Sequence, residues 1–423
     1  MWWEAGVPVL FGKALAEREH SHSGNVPSLA RVARATVRSG LIGVIVMWSP
    51  LSYKRKGLEI GIAEELLDSA IEQTENVIEE NPDLPSILTL NHLSTRTKTS
   101  LETLKAYISR DEPDAYRKFS IAKRSGGRRF IRVPAPQLAH VQKWIHHHIL
   151  SHISPHRASY GFRKRTSIKD CARKHCGARW LIKLDIVNFF ETISEIQVFS
   201  VFQKLGYQPL VAFELARLCT VSSDEYSPRR NYGNWWAFKS YKVIRNYEQK
   251  LLGYLPQGAS SSPMLSNLVM WKCDEQISKI AKKNGMKYSR YSDDIALSTS
   301  SKDFNRALAK QVIQEVNRVL SQYGYLPHFK KCKVVPPGAR KVILGLNVDG
   351  AVPVLQRETK DRIRQHLYFL KKHGPVEHAL ARGFDSVWGL QSHLRGLIDY
   401  AKAIEPEYAA KRLREFREID WPF

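Results

Sequence analysis

The spacing of apolar positions changes period several times along the chain. Between Ile62 and Ile78, apolar residues at 63, 66, 67, 70 and 71 recur at helical intervals while acids fill the opposite face, which predicts an amphipathic helix. Asn81-Pro82-Asp83 ends it. A second helix is expected from Ser100 to Ser109 after a Thr/Ser-rich connection. Residues 1–56 carry no clear period, and the Ser/His/Gly stretch at 20–25 reads as a loop. This N-terminal part is helical and locally acidic, which suits a packing or partner surface.

The period then shortens to two. Phe119 to Ile131 reads as two alternating strands around Ser125-Gly126-Gly127, a hairpin whose tip carries Lys123, Arg124, Arg128 and Arg129. Residues 137–153 return to helical spacing, with His146, His147, His148 and His152 along them. No Cys or carboxylate lies close enough in sequence to complete a zinc site with these histidines, and Cys171, His175 and Cys176 are too few for one. Leu181 to Phe190 is a buried-type strand with a single acid, Asp185, in its middle. Desolvating a lone carboxylate is expensive, so Asp185 is either at an exposed strand end or a metal ligand. Lys287 to Tyr291 and Ile295 to Leu297 are strand-like runs around Ser292-Asp293-Asp294. Neighbouring side chains on a strand point to opposite faces, so two adjacent acids converge only at a bend or hairpin tip. A divalent cation gives them a reason to be there; a solvated turn is the alternative.

Gly345 to Gly350 reads as another hairpin. Residues 358–372 form an amphipathic helix with Ile363, Leu367 and Leu370 inward, and a further helix is expected from Ser386 to Ala403.

Composition changes this picture in one respect. Lys and Arg number 65 against 41 Asp and Glu, giving a formal charge of +24. Such an excess favours a polyanion, nucleic acid above all. Five cysteines without a framework spacing point to a reducing, cytoplasmic compartment. The N-terminus, Met1-Trp2-Trp3-Glu4, lacks the basic start of a secretory signal. The longest apolar run, Leu41 to Trp48, falls well short of the roughly 20 residues that span a bilayer, so no membrane partner is expected.

Asp185 with Phe189-Phe190, then Leu255-Pro256-Gln257-Gly258-Ala259, then Tyr291-Ser292-Asp293-Asp294 follow the order of motifs A, B and C of reverse transcriptases. The chain resembles bacterial retron-type enzymes and their relatives among antiphage defence reverse transcriptases, from about Phe119 to at least Gly350. Phe119 to Pro134, Ser167 to His175 and Lys341 to Leu346 sit where retron enzymes carry recognisable blocks. Two blocks depart from the usual retron form: Cys171-Ala172-Arg173-Lys174-His175 replaces Asn-Ala-x-x-His, and Ile343-Leu344-Gly345 replaces Val-Thr-Gly.

The resemblance implies an α+β right-hand polymerase. It would have a helical N-terminal extension (1–112), fingers (113–184), a palm of antiparallel sheet on helices (185–350) and a helical thumb (351–423). Asp185, Asp293 and Asp294, with the Ile186 backbone carbonyl, would hold two Mg²⁺ ions, or Mn²⁺ in their place. Lys331 sits at the motif D lysine position and would protonate pyrophosphate, although His328 replaces an Asn usual nearby. Lys123, Arg128 and Arg129 would clamp the incoming triphosphate, with Gln257 and Gly258 along the nucleotide. Phe190 would close off the 2′ position and so favour dNTPs, with Phe189 beside it. His175, Gly345, Lys360, Arg364 and Lys371 would serve RNA or the RNA–DNA duplex. The implied partners are a structured noncoding RNA, dNTPs and an effector or toxin protein. Two other readings remain: a non-retron defence enzyme with different priming or repetitive copying, and an RNA-binding scaffold with an idle polymerase fold.

Overall fold

The computed structural model describes residues 49–110, 115–122, 128–222 and 252–423. In chain order the elements are α1 (Pro50–Glu59), α2 (Glu64–Glu80), α3 (Leu90–Thr97), α4 (Leu101–Ser109), β1 (Tyr116–Ala122), β2 (Arg128–Pro134) and α5 (Pro136–His148). Then come α6 (Ile168–Arg173), β3 (Trp180–Asp185), α7 (Phe189–Thr192), α8 (Glu195–Lys204), α9 (Pro209–Cys219), β4 (Val221–Ser222) and β5 (Gly253–Tyr254). The series continues with α10 (Ser262–Val269), α11 (Trp271–Lys283), β6 (Lys287–Tyr291), β7 (Asp294–Thr299), α12 (Arg306–Gln322) and β8 (Lys333–Val335). It closes with β9 (Val342–Ile343), β10 (Leu346–Asn347), β11 (Val354–Leu355), α13 (Arg357–Ala381), α14 (Val387–Ile404) and α15 (Pro406–Arg417). The chain forms two compact units, one from residues up to 155 with 188–271, the other from 156–187 with 272–423.

In the first unit, α2 starts and stops where the acidic amphipathic pattern does, with Leu67, Ala70 and Val77 buried and Asn81 as its C-cap. Ser100 caps α4 by accepting a hydrogen bond from the Thr103 amide. β1 and β2 pair antiparallel from Tyr116↔Pro134 to Ala122↔Arg128. The expected Ser-Gly-Gly tip lies outside the described residues, as does Lys123. Glu195 at the start of α8 is buried; its Oε2 accepts from Arg110, Thr220 Oγ1 at 3.0 Å and the Gly253 amide at 3.1 Å, and Arg217 Nε lies 3.1 Å from its Oε1. That set of partners compensates the cost of burying its charge.

The second unit is built on a four-stranded antiparallel sheet in the order β6-β7-β3-β8. β3 is flanked on both edges, so its side chains are buried at every position but Lys183. The apolar run that predicts a strand to Phe190 stops pairing at Asp185–Ile186 and turns at Asn188, where φ is +47°. Asp185 therefore sits at the strand's end but is buried there, which leaves its charge in need of a cation. α13, α14 and α15 share one core with the sheet and β9–β11, through Leu181, Ile343, Leu346, Ile363, Leu367, Leu370, Leu390 and Leu394 among others. The inward positions expected for residues 358–372 are thus buried as the spacing requires. α13 runs further than the period indicates, to Ala381, but kinks at Gly374 (φ +79°) before Pro375. The segment expected as one hairpin at Gly345–Gly350 takes part in two: β9 turns into β10 at Leu344-Gly345, both with positive φ, and β10 pairs with β11 across residues 348–353. A two-residue turn of that kind matches the twist of its strands, which the longer 345–350 reading does not provide.

Burial holds three histidines neutral: it pushes His92 and His366 down to about 4 and His175 to about 3. Unfolded, each takes up a proton near pH 6.5. The unfolded chain therefore binds more protons below that value, and the stability these rings contribute, complete above pH 6.5, is lost as pH falls toward 4 and then 3. Urea midpoints should drop between pH 7 and pH 5, and His175→Gln should flatten that slope; an unchanged slope would contradict the burial argument.

Candidate active site

The site grows from the register of β3 against β7. Asp185 lies directly opposite Asp294. Residues directly opposite in an antiparallel pair project to the same face, so the two carboxylates become close neighbours. Asp293 follows from the turn that joins β6 to β7, where Tyr291 pairs with Asp294 and Ser292 takes φ +58°. The hairpin tip thus supplies the bend that adjacent acids need.

The electrostatics are those of crowded like charges. Asp294 keeps an exposed edge. Even so, desolvation at the tip, then the Asp293 charge, push its carboxyl up to about 6, with Asp185 adding and Lys183 opposing. Asp293 is raised too, first by desolvation, with Asp185 adding and its own backbone amide and Lys331 opposing.

Lys331 reaches the cluster because its segment is stitched to the end of β3. The His328 amide donates to the Asp185 carbonyl at 2.8 Å and the Val187 amide to the Leu326 carbonyl at 2.9 Å. Those bonds leave the Ile186 carbonyl out of the pairing. Lys331 Nζ then donates to both Asp185 oxygens at 3.1 Å. Its side chain is half exposed, so the pair is worth at most about 1 kcal/mol and is readily exchanged.

Oxygen donors of this kind suit hard divalent cations such as Mg²⁺ and Mn²⁺ rather than zinc. Among the described residues no three His, Cys, Asp or Glu side chains close a metal site as placed. The donor set is nonetheless of the right kind for one: Asp185 and Asp294 are opposite one another on β3 and β7, and Asp293 lies in the adjoining turn.

The other expected site residues fall in different places. Phe189 is buried and Phe190 partly exposed at the start of α7, with ring centroids 5.5 Å apart. Arg128 and Arg129 are exposed on β2. Gln257 accepts a 2.7 Å bond from the Arg132 amide through its carbonyl, so its segment is laid along β2. Gly258 has φ +126°, and a Cβ there would come within 2.7 Å of the Arg132 carbonyl oxygen. Gly345 lies in the β9–β10 turn, its carbonyl accepting from Gln356 Nε2. Lys360 bonds Glu405 at 2.6 Å over the Tyr408 ring, Arg364 pairs with Asp361, and Lys371 with Glu418 at 2.7 Å.

His175 requires a correction. Its ring is fully buried and bridges Ser289 Oγ at 2.6 Å on β6 and Ser298 Oγ at 2.7 Å on β7. A ring with no exposed surface has none to offer RNA; it ties the end of α6 to the strands that carry Asp293 and Asp294. Two further residues bear on the same hairpin without standing out in the sequence, Asp274 and Arg290, both completely buried. A signal nonetheless existed in the sequence: Arg290 stands inside a strand-like run, between Ser289 and Tyr291, where an unpaired charge would be costly to bury.

A family model described as "Reverse transcriptase (RNA-dependent DNA polymerase)" matches residues 121–348. The chain is similar to the retron Ec86 reverse transcriptase of Escherichia coli, 29% identical over 345 residues, covering 79% of this chain and 95% of that protein. It is also similar to the retron Mx65 reverse transcriptase of Myxococcus xanthus, 30% identical over 309 residues, with 71% and 64% covered. The retron Ec73 reverse transcriptase of Escherichia coli is 29% identical over 320 residues, with 73% and 90% covered.

Gly258→Ala should combine backbone strain with a clash against Arg132. A loss of about 1–3 kcal/mol is expected from strain alone, read as a lower denaturant midpoint with an unchanged slope. An unaltered midpoint would mean the Gln257–Gly258 segment is not held against β2.

Proposed function

Because the chain belongs to the reverse transcriptase family, we propose that Asp185, Asp293 and Asp294 are the metal-holding carboxylates of its RNA-directed DNA polymerase site. The observation that carries this reading is the β3–β7 register, which sets Asp185 opposite Asp294. Two Mg²⁺ ions, or Mn²⁺ in their place, would supply when bound the activation of the primer hydroxyl and the neutralisation of the triphosphate. The chain's own residues do the rest. Asp185 and Asp294 bind from facing strands and Asp293 from the turn, with the Ile186 carbonyl free of the adjoining backbone pairing. Lys331 balances the Asp185 charge and, being half exposed, is free to turn toward a leaving pyrophosphate and hand it a proton from Nζ.

Arg128 and Arg129, with Lys123, suit the triphosphate through forked or point charges. Gln257 and Gly258 offer a close-lying backbone to the nucleotide, and Phe190 excludes a 2′-hydroxyl, with Phe189 as its support. Gly345 would shape the primer-side turn. Lys360, Arg364 and Lys371 would exchange their carboxylate partners for duplex phosphates. The exposed pairs of Arg364 and Lys371 are worth at most about 1 kcal/mol each, so their exchange costs little, whereas Lys360 is held more tightly in a partly buried pair. The division into N-terminal extension, fingers, palm and thumb at residues 112, 184 and 350 belongs to the same reading.

The template we propose is a structured noncoding RNA, and the setting antiphage defence with an effector or toxin protein. Both rest on the similarity to retron enzymes. No helix among the described residues is long and apolar enough to cross a membrane. The five free cysteines suit a reducing cytoplasm.

Primer extension on an RNA template should require Mg²⁺ and dNTPs and fall to background in the Asp293→Ala, Asp294→Ala double variant; incorporation that survives would remove the metal assignment. Phe190→Ala should gain rNTP use, and unchanged discrimination would dismiss Phe190 as the gate. The logarithm of duplex affinity should fall linearly with that of salt concentration. Affinity insensitive to salt would contradict a phosphate-led interface.

A further inference from the structure

The turn that carries Asp293 has a backbone problem to solve. Ser292 adopts φ +58°, which side-chain-bearing residues rarely hold without support. Support arrives from Arg290, two residues earlier. Its Nη1 donates to the Ser292 carbonyl at 3.0 Å. The same guanidinium grips Asp274 on α11 with two parallel bonds, Nε to Oδ1 at 2.8 Å and Nη2 to Oδ2 at 2.7 Å. Asp274 Oδ1 also accepts the Tyr288 hydroxyl at 2.5 Å.

The Arg290 backbone is fixed as well: its amide donates to the Ala158 carbonyl and its carbonyl accepts from the Tyr160 amide, both at 2.8 Å. Beyond Tyr160, Gly161 lies so close that a Cβ would come within 2.9 Å of the Ser292 amide nitrogen. The turn is thus bounded by a backbone on one side and held by a charged fork on the other.

Stability does not explain a fully buried ion pair here. Apolar residues of similar volume commonly replace such pairs at no loss. They cannot donate a hydrogen bond to a backbone carbonyl. A guanidinium can, and its planar fork fixes the direction of the third N–H once two are committed to Asp274.

We propose that Arg290, oriented by Asp274, is a positioning residue that aims the Asp293 and Asp294 carboxylates by holding the Ser292 carbonyl. The inference rests on the polymerase reading of those carboxylates. A lysine at 290 keeps the charge beside Asp274 but cannot span both partners in a fixed plane. A methionine at 290 with leucine at 274 removes the pair without leaving a buried charge behind.

The test compares Arg290→Lys, the double variant Arg290→Met with Asp274→Leu, and Tyr288→Phe as a control that keeps the guanidinium in place. Primer-extension kcat and the KM for dNTP are measured beside Mn²⁺ binding followed by electron paramagnetic resonance, each normalised to the folded fraction from thermal melts. Arg290→Lys and the double variant should lose about 10- to 100-fold in kcat, as small misplacements of reacting groups do. Their KM should change little and their Mn²⁺ affinity should weaken. Tyr288→Phe should melt earlier yet keep its kcat and Mn²⁺ affinity. If the double variant does not fold, Arg290→Lys decides. Wild-type kcat and Mn²⁺ affinity in Arg290→Lys overturn the proposal, as does a loss in Tyr288→Phe matching that in Arg290→Lys. A wild-type protein without polymerase activity would instead overturn the reading beneath it.

Discussion

Two like charges face each other across an antiparallel pair, and much of the second unit follows from tolerating them. Asp185 and Asp294 are directly opposite in the β3–β7 register. Such a pairing is destabilising, by roughly 0.2–1 kcal/mol in general, before desolvation is added. Slipping the register by one residue would send every side chain of one strand to the other face and separate the two acids. Chemistry and register are therefore one constraint. The apolar positions of β3 and β7, with Leu181, Ile182, Ile295 and Leu297 buried, enforce the register that the acids oppose. The chain belongs to the reverse transcriptase family, and the proposed role of the two carboxylates in holding a divalent cation would give that cost a purpose.

The hairpin carrying two of the acids is braced from both faces of β6, by opposite chemistry. On one face Ser289 meets the neutral ring of His175, which also reaches Ser298. On the other, Tyr288 and Arg290 meet Asp274. Burial favours the uncharged histidine ring. The arginine must stay charged, and Asp274 ensures that. Between them the strand has little room to shift, while Lys331 at the open end is half exposed and free to move.

Much of this was legible in the chain. The β6–β7 hairpin follows from two strand-like runs around adjacent acids, and α13 from the spacing of Ile363, Leu367 and Leu370. What stayed hidden is what only tertiary pairing decides. Nothing local sets Asp185 opposite Asp294, since distant segments choose their register by packing. His175 sits in a block that resembles a recognition motif, yet its two serine partners are more than a hundred positions away in sequence, so its burial could not be read. Leu344 accepts a positive φ that residue preferences would assign elsewhere, so the tight β9–β10 turn at 344–345 cannot be read from the chain. Arg290 was in plain view between Ser289 and Tyr291. Its partner Asp274 lies on a helix whose apolar positions alone give no hint of a buried charge.

The central claim is that the facing pair Asp185 and Asp294 forms the metal site. Its most direct test is a Mn²⁺ titration followed by electron paramagnetic resonance, on the wild-type protein and on Asp185→Asn, with primer–template and a non-hydrolysable dNTP analogue present. The account predicts bound Mn²⁺ in the wild type and a clear loss of affinity in the variant, with the folded state kept. Equal Mn²⁺ binding by both proteins would contradict it.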